Sequence, residues 1–199
     1  MMSRWKEKNV GEHQSPIESP LQGILMKRGI ALSQWRNYSR PEEMLEHDPM
    51  QMADMAQAVD LLQEHIQEGN KILVFGDYDV DGTCSVAMMY LFLSSIHDQV
   101  EFYIPDRYEE GYGFSSKGAE HAVSNGFKLV ITLDCGTKDG ERISFCRAHD
   151  VDVIVADHHE PEVLPNANAV LNPKRKDCHY PFEGLSGCGV GYKLIQAFV

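Results

Sequence analysis

The sequence predicts an α/β fold: a parallel sheet with helices on both faces, preceded by a small helical N-terminal appendage. Three observations lead there. Strand-length apolar runs recur at Ile72–Phe75, Val100–Ile104, Leu129–Leu133 and Val153–Val155, as expected of strands buried on both faces. Helical patterns separate these runs, which is the alternation that builds a parallel sheet. Three of the four runs end in acidic or imidazole side chains, at the sheet edge where such folds bind ligands.

The elements follow in order. Pro16, Pro20, Pro41 and Pro49 interrupt the first fifty residues. Short apolar groups there, such as Leu21, Ile24, Leu25 and Ile30, predict small helices, so residues 1–53 are expected to form the appendage. Met55, Val59, Leu62 and Ile66 fall at helical spacing between Asp54, an N-cap candidate, and Gly69, a stop. Ile72–Phe75 is the first strand, followed by a helix from about Thr83 to Ile96. A second strand at Val100–Ile104 leads through a loop, Pro105–Phe114, into a helix from Ser115 stopped at Gly126. The third strand, Leu129–Leu133, precedes a helix near Lys138–His149. Val153–Val155 is the fourth strand, Ala169–Leu171 a candidate fifth, and Gly189–Phe198 reads as a last helix. Residues 54–199 are thus expected to form the main domain.

Composition narrows the function. The 199 residues are 43% hydrophobic and 24% charged, an ordinary globular balance. No apolar run approaches the roughly 20 residues of a membrane span, and Met1–Lys8 lacks the apolar stretch of a signal peptide. Cys84, Cys135, Cys146, Cys178 and Cys188 contain no CxxC, so reduced thiols and a cytoplasmic location are expected. A net charge of −12 excludes a protein that holds nucleic acid by bulk positive charge. It is compatible with a metal-dependent phosphoesterase, whose carboxylates are neutralised by bound cations.

The strand ends carry the chemistry. Asp77, Asp79 and Asp81 follow the first strand, Asp134 the third, and Asp157-His158-His159-Glu160 the fourth. Neighbouring strands lie about 4.8 Å apart, so these groups can share cations, without which such crowding of carboxylates is unfavourable. A calcium loop of the EF-hand type matches Asp-x-Asp-x-Asp-Gly but fails here, because the segment follows a strand and Met88 stands at its twelfth position. Of the two adjacent histidines, one can bind metal while the other meets substrate, with Asp157 fixing a ring tautomer. Imidazole with carboxylate suits Mn²⁺, with Mg²⁺ as a substitute. The Pro105–Gly113 loop offers Arg107 for phosphate and aromatic faces for a base, although a plain flexible loop has the same spacing. Gly187-Cys188-Gly189-Val190-Gly191 allows a close helix start near a phosphate. Cys178, His179 and Cys188 fit no zinc-finger spacing and read as structural.

Several segments together resemble the DHH phosphoesterase superfamily and, within it, the branch of bacterial single-strand-specific exonucleases. They are VFGDYDVDGT (74–83), LDCG (133–136), ADHHEP (156–161) and NPKRKDCHYPFEGLSGCGVGYKL (172–194), with IPDRYEEGYG (104–113) and the early RGI (28–30). Other branches open with His ahead of Asp-x-Asp, where this chain has Phe75 and then Asp77. The resemblance implies a DHH-type domain in which Asp77, Asp79, Asp81, Asp134 and His158 ligate two Mn²⁺ ions, with Asp134 bridging. His159 would face the scissile phosphate, with Asp134 and His159 as the catalytic pair; from their own place at a strand end and at a glycine-rich helix start, Arg107, Tyr112, Gly187 and Gly189 are expected to contact substrate beside it. Two cations would activate a water for in-line attack and offset charge on the phosphate oxygens. The implied activity is 5′-to-3′ removal of 5′-mononucleotides from single-stranded DNA in repair and recombination. A monomer is expected, with a helicase or a single-strand-binding protein as partners and no membrane.

Two other readings stay open: a phosphodiesterase for short oligoribonucleotides or cyclic dinucleotides, and a catalytically silent nucleic-acid-binding module. The family also has a later metal-ligating Asp and further DNA-binding domains. The chain therefore reads as an N-terminal portion, incomplete at its C-terminus and weakly active at most by itself.

Overall fold

The computed structural model describes residues 20–40 and 46–199. Two compact units divide at Glu46 and His47. In the first, α1 (Pro20–Lys27) and α2 (Trp35–Ser39) flank a short 3₁₀ turn at Leu32–Gln34. Pro20 occupies the first helical position, where its missing N–H costs nothing. The Trp35 indole N–H donates to the Ile30 carbonyl at 3.0 Å and pins the turn. Pro16 and Pro41 lie outside the described residues.

The second unit starts seven residues before the expected boundary at Asp54, because residues 47–53 are tied to it. Met52 is buried in its core, the Lys193 ammonium donates to the His47 carbonyl, and Ala53 N–H reaches Cys178 Sγ. Its strands are β1 (Ile72–Gly76), β2 (Val100–Tyr103), β3 (Leu129–Leu133), β4 (Asp152–Ala156) and β5 (Ala169–Leu171). Its helices are α3 (Met55–Gln67), α4 (Val80–Ser94), α5 (Ser116–Ser124), α6 (Gly140–Ala148) and α7 (Gly187–Phe198). All strand pairs are parallel, in the order β2-β1-β3-β4-β5. The chain leaves β1 for β2 on one side and returns to β3 on the other, so the winding reverses between β1 and β3, where a crevice opens at the carboxyl ends.

The strands bury both faces, and each face gathers its own core. Ile72, Val74, Ile131, Leu133, Ile154 and Leu171 point to the side of α3, α4 and α7. Leu73, Phe75, Val130, Val153 and Val155 point to the side of α5 and α6, with Ala119, Ala122, Ile143 and Cys146. Period-two alternation on apolar runs therefore fills two layers from one sheet. Among the described residues no helix is long and apolar enough to cross a membrane.

Two local expectations are corrected. The helix after β1 begins at Val80, not Thr83, because the Asp79 carboxylate caps it by accepting the Gly82 N–H at 3.0 Å. Asp54 precedes α3 but provides no side-chain cap, and its backbone is left-handed at φ 60°. Its carboxylate instead accepts from Val170 N–H and pairs with Arg175, which also binds Asp177 and the Val170 carbonyl. Arg175 is only 8% exposed, so its guanidinium needs those acceptors more than the helix needs a cap.

Asp54→Ala is expected to destabilise the fold by about 1–3 kcal/mol, because it leaves a buried guanidinium N–H and a strand N–H without their acceptor. Asp177→Ala, which removes the exposed partner of the same guanidinium, should cost less than about 1 kcal/mol. Urea-unfolding midpoints of the two variants measure the difference; equal losses would contradict this division of roles.

Candidate metal and phosphate site

Sheet register builds the site. Gly76 pairs with Leu133, Leu133 with Ala156, and Ala156 with Leu171. The next residue on each strand therefore falls in one row: Asp77, Asp134, Asp157 and Asn172. Asp134 N–H continues the ladder to the Ala156 carbonyl at 3.0 Å, and Asp157 N–H to that of Leu171 at 3.0 Å. Four neighbouring strands thus deliver three carboxylates and an amide side by side.

Asp77 is fully buried, and neither carboxylate oxygen has a hydrogen-bond partner. Burial raises its pKa, which the nearby amides of Tyr78 and Gly113 only partly offset and the charge of Asp79 reinforces. Asp134 is 2% exposed, and its Oδ1 is likewise without a hydrogen bond. Burial first, then the charges of Asp81 and Asp79, push its pKa up to about 7. Its backbone is left-handed, φ 60°, a conformation that Asp and Asn tolerate better than most residues.

Asp134, His158 and His159 each present a ligand atom within 4.8 Å of the others, the one such group found among the described residues. His158 Nε2 lies 3.2 Å from Asp134 Oδ1 and 3.8 Å from Asp81 Oδ2. Partnerless buried carboxylate oxygens beside an imidazole are the donor set of a divalent cation such as Mn²⁺ or Mg²⁺. The residues fit that group.

Asp81 has a further task. Its two oxygens accept the N–H groups of Gly187 and Cys188, each at 2.8 Å, so α4 holds the start of α7. A Cβ on Gly187 would stand 2.4 Å from Asp134 Oδ1, so only glycine permits that approach. Gly189 N–H donates to the Ser186 cap. The amides of Gly187 and Gly189, expected to meet phosphate, therefore already have protein acceptors.

Asp157 organises the histidines. Its Oδ1 accepts from His158 N–H at 2.7 Å, His159 N–H at 3.2 Å and His159 Nδ1 at 2.7 Å, and Oδ2 accepts from Thr137 N–H. Burial opposes its ionisation, but these bonds and the His159 ring bring its pKa down to about 2. A carboxylate can only accept, so His159 carries a proton on Nδ1 and turns Nε2 toward the site. Asn172 supports the same turn by donating to the His159 carbonyl at 2.8 Å and to Thr137 Oγ1 at 3.1 Å.

The loop after β2 closes over this row. Tyr112 hydroxyl lies 2.8 Å from His159 Nε2 and 3.3 Å from the Asp134 carbonyl. Burial and the charges of Asp157, Asp134 and Asp77 keep the phenol protonated. Tyr78 meets Tyr112 edge-on, and the Arg107 guanidinium sits 5.3 Å over the Tyr78 ring.

Of the residues singled out in the sequence, Asp134, His158, His159, Asp81 and Tyr112 come together directly. Asp77 stands in the same row, Asp79 acts on Asp77 and Asp134 through its charge, and Arg107 reaches the site through Tyr78. Asn172, Thr137, Tyr78, Glu110 and Asp139 were not singled out as site residues. The row position after a short apolar strand could have flagged Asn172.

Known proteins resemble this chain in sequence and in fold. The sequence model of the DHH family, N-terminal domain, matches residues 71–199. The single-stranded-DNA-specific exonuclease RecJ of Bacillus subtilis (strain 168) is 36% identical over 189 residues, covering 94% of this chain and 24% of that protein. Its namesake in Escherichia coli (strain K12) is 36% identical over 149 residues, covering 74% of this chain and 26% of that protein. A crystal structure of exonuclease RecJ bound to manganese superposes with a TM-score of 0.68 at 31% identity, over 74% of this chain and 37% of that one. The chain spans about a quarter of the length of these curated relatives. A doubly wound parallel sheet, acidic residues in register at its carboxyl edge, and a family match over more than half of the sequence lead to one conclusion: the chain belongs to the DHH family.

Proposed function

We propose that this chain holds the metal-binding part of a single-strand-specific DNA exonuclease. The observation that carries the reading is the row of buried carboxylates with partnerless oxygens beside His158 and His159. Similarity to RecJ proteins supports single-stranded DNA as substrate. The family resemblance supports 5′-to-3′ direction, release of 5′-mononucleotides and a place in repair and recombination.

Asp77, Asp79, Asp81, Asp134 and His158 would hold two divalent cations, Mn²⁺ with Mg²⁺ as a substitute. Bound cations would supply Lewis-acid activation of water and charge neutralisation at the phosphate. The chain's own residues do the rest. Asp157 fixes the tautomer and direction of His159, whose Nε2 faces the phosphate. Tyr112 covers that nitrogen until substrate arrives, and Arg107 with Tyr78 lines the approach with a cation and an aromatic face.

Asp134→Asn keeps the left-handed backbone acceptable while removing the charge. It is expected to weaken Mn²⁺ binding at least tenfold, about 1.4 kcal/mol, in calorimetry. Parent-like binding would remove Asp134 from the ligand set.

Tyr112→Ala should weaken binding of a single-stranded oligodeoxynucleotide about tenfold, within the roughly 1–3 kcal/mol of one stacked base. A titration with fluorescent oligonucleotides of graded length, in DNA and RNA, checks this. Unchanged affinity would return the loop to a plain connection, and tighter binding of very short RNA would favour an oligoribonuclease.

A further inference from the structure

We propose that Glu110 and Asp139 are positioning residues that clamp the loop around Tyr112, so that its hydroxyl stays on His159 Nε2. This inference rests on the proposed function for its consequence in turnover, but the clamp itself is a matter of geometry.

Glu110 joins three pieces of chain. Its carboxylate accepts the Tyr103 hydroxyl at 3.0 Å, Asp106 N–H at 2.9 Å and the Ser115 hydroxyl at 2.6 Å. Those donors belong to the end of β2, the turn that carries Arg107, and the cap of α5. Ser115 Oγ meanwhile accepts the Gly118 N–H at 2.9 Å, so one hydroxyl both caps the helix and holds Glu110. Burial works against the charge, yet these donors keep the Glu110 pKa below its ordinary value. The turn is itself stiffened by Asp106, whose Oδ1 accepts from Tyr108 and Glu109 N–H.

Asp139 fastens the other end. Its Oδ2 accepts Phe114 N–H at 2.9 Å and Gly136 N–H at 3.1 Å. One oxygen therefore ties the substrate loop to the turn that follows Asp134. Tyr112 stands between the two carboxylates, two residues from Glu110 and two from Phe114. A cleft of about 250 Å³, lined by Glu110, Tyr112, Ser115, Lys117, Asp139 and Arg142, lies beside the segment. Phe114, buried against Phe75, packs the end of the loop into the core, whereas Tyr112 is 52% exposed and is held from both sides by these hydrogen bonds.

His159 donates from Nδ1 to Asp157, and its Nε2 lies 2.8 Å from the Tyr112 hydroxyl. A phosphoryl oxygen in the site would offer the same hydroxyl an equivalent acceptor. Correct placement of Tyr112 therefore bears on how His159 and the phosphate meet, and errors of about 1 Å in such placement cost up to about 100-fold in rate.

The test reads the ¹⁵N resonance of His159 Nε2 in the 199-residue chain. Tyr112→Phe defines the shift caused by losing the hydroxyl. Glu110→Gln, an isosteric change that leaves a mismatched amide among donors on both carboxylate oxygens, and Asp139→Ala, which removes the one oxygen that accepts both N–H groups, are expected to move the resonance at least halfway to that value. Glu109→Gln, which loses only a surface pair with Lys117, should leave it in place. Tyr103→Phe removes one donor from Glu110 without changing the packing, and should move it in the same direction should Glu110→Gln fail to fold. A parent-like resonance in the folded Glu110 and Tyr103 variants would overturn the clamp.

A double-mutant cycle on single-stranded DNA then separates the two readings. If Glu110 acts through Tyr112, adding Glu110→Gln to Tyr112→Phe should lower kcat/KM less than twofold further, whereas each alone lowers it about tenfold. Additive losses would make Glu110 merely structural. A parent chain that binds neither Mn²⁺ nor single-stranded DNA, with the resonance shifts as expected, would sink the exonuclease assignment and leave the clamp standing.

Discussion

Negative charge that the protein does not neutralise is the constraint on which this structure turns. Asp77 and Asp134 bury three carboxylate oxygens without a donor, within reach of the charges of Asp79, Asp81 and Asp157. Such groups in an apolar setting cost several kcal/mol each unless they are protonated or paired. A raised pKa on both is the direct sign of that cost. The core on either side of the sheet supplies the stability that allows it, and divalent cations relieve it.

The surrounding structure manages the same charge by other means. The first amides of α7 point at Asp81, and those of α4 at Asp79, so two helix N-termini lend partial positive charge to the acidic edge. Asp157 is treated differently. With four donors it stays ionised, and it is used to orient imidazole rather than to attract a cation. Two aspartates one strand apart, Asp134 and Asp157, thus have opposite pKa shifts because one lacks donors and the other has them in excess.

Much of this was legible in the sequence. Apolar runs separated by helical patterns gave the strands and their parallel order of appearance, and the acidic residues after Phe75, Leu133 and Ala156 marked the edge that matters. Periodicity could not show the register. Only pairing reveals that Asp77, Asp134, Asp157 and Asn172 share a row. It could not show the work of polar residues with many roles either. Asp54 looks like a cap and serves Arg175, Asp81 looks like a ligand and also anchors α7, and the amides of Gly187 and Gly189 have protein acceptors. Glu110 and Asp139 read as ordinary loop and helix-start acids, because their partners come from segments that sequence spacing does not bring together.

The row at the strand ends also divides the chain into parts that can and cannot change length. Side chains alternate across a sheet, so one residue inserted within β3 would turn Asp134 to the other face and put an apolar neighbour in its place. The same insertion in the 160–168 connection, beyond the histidines, leaves all four row positions where they are. Drift in length among relatives should therefore gather in the crossovers on the far side of the helices, while the number of residues between the start of each strand and its terminal polar group stays constant.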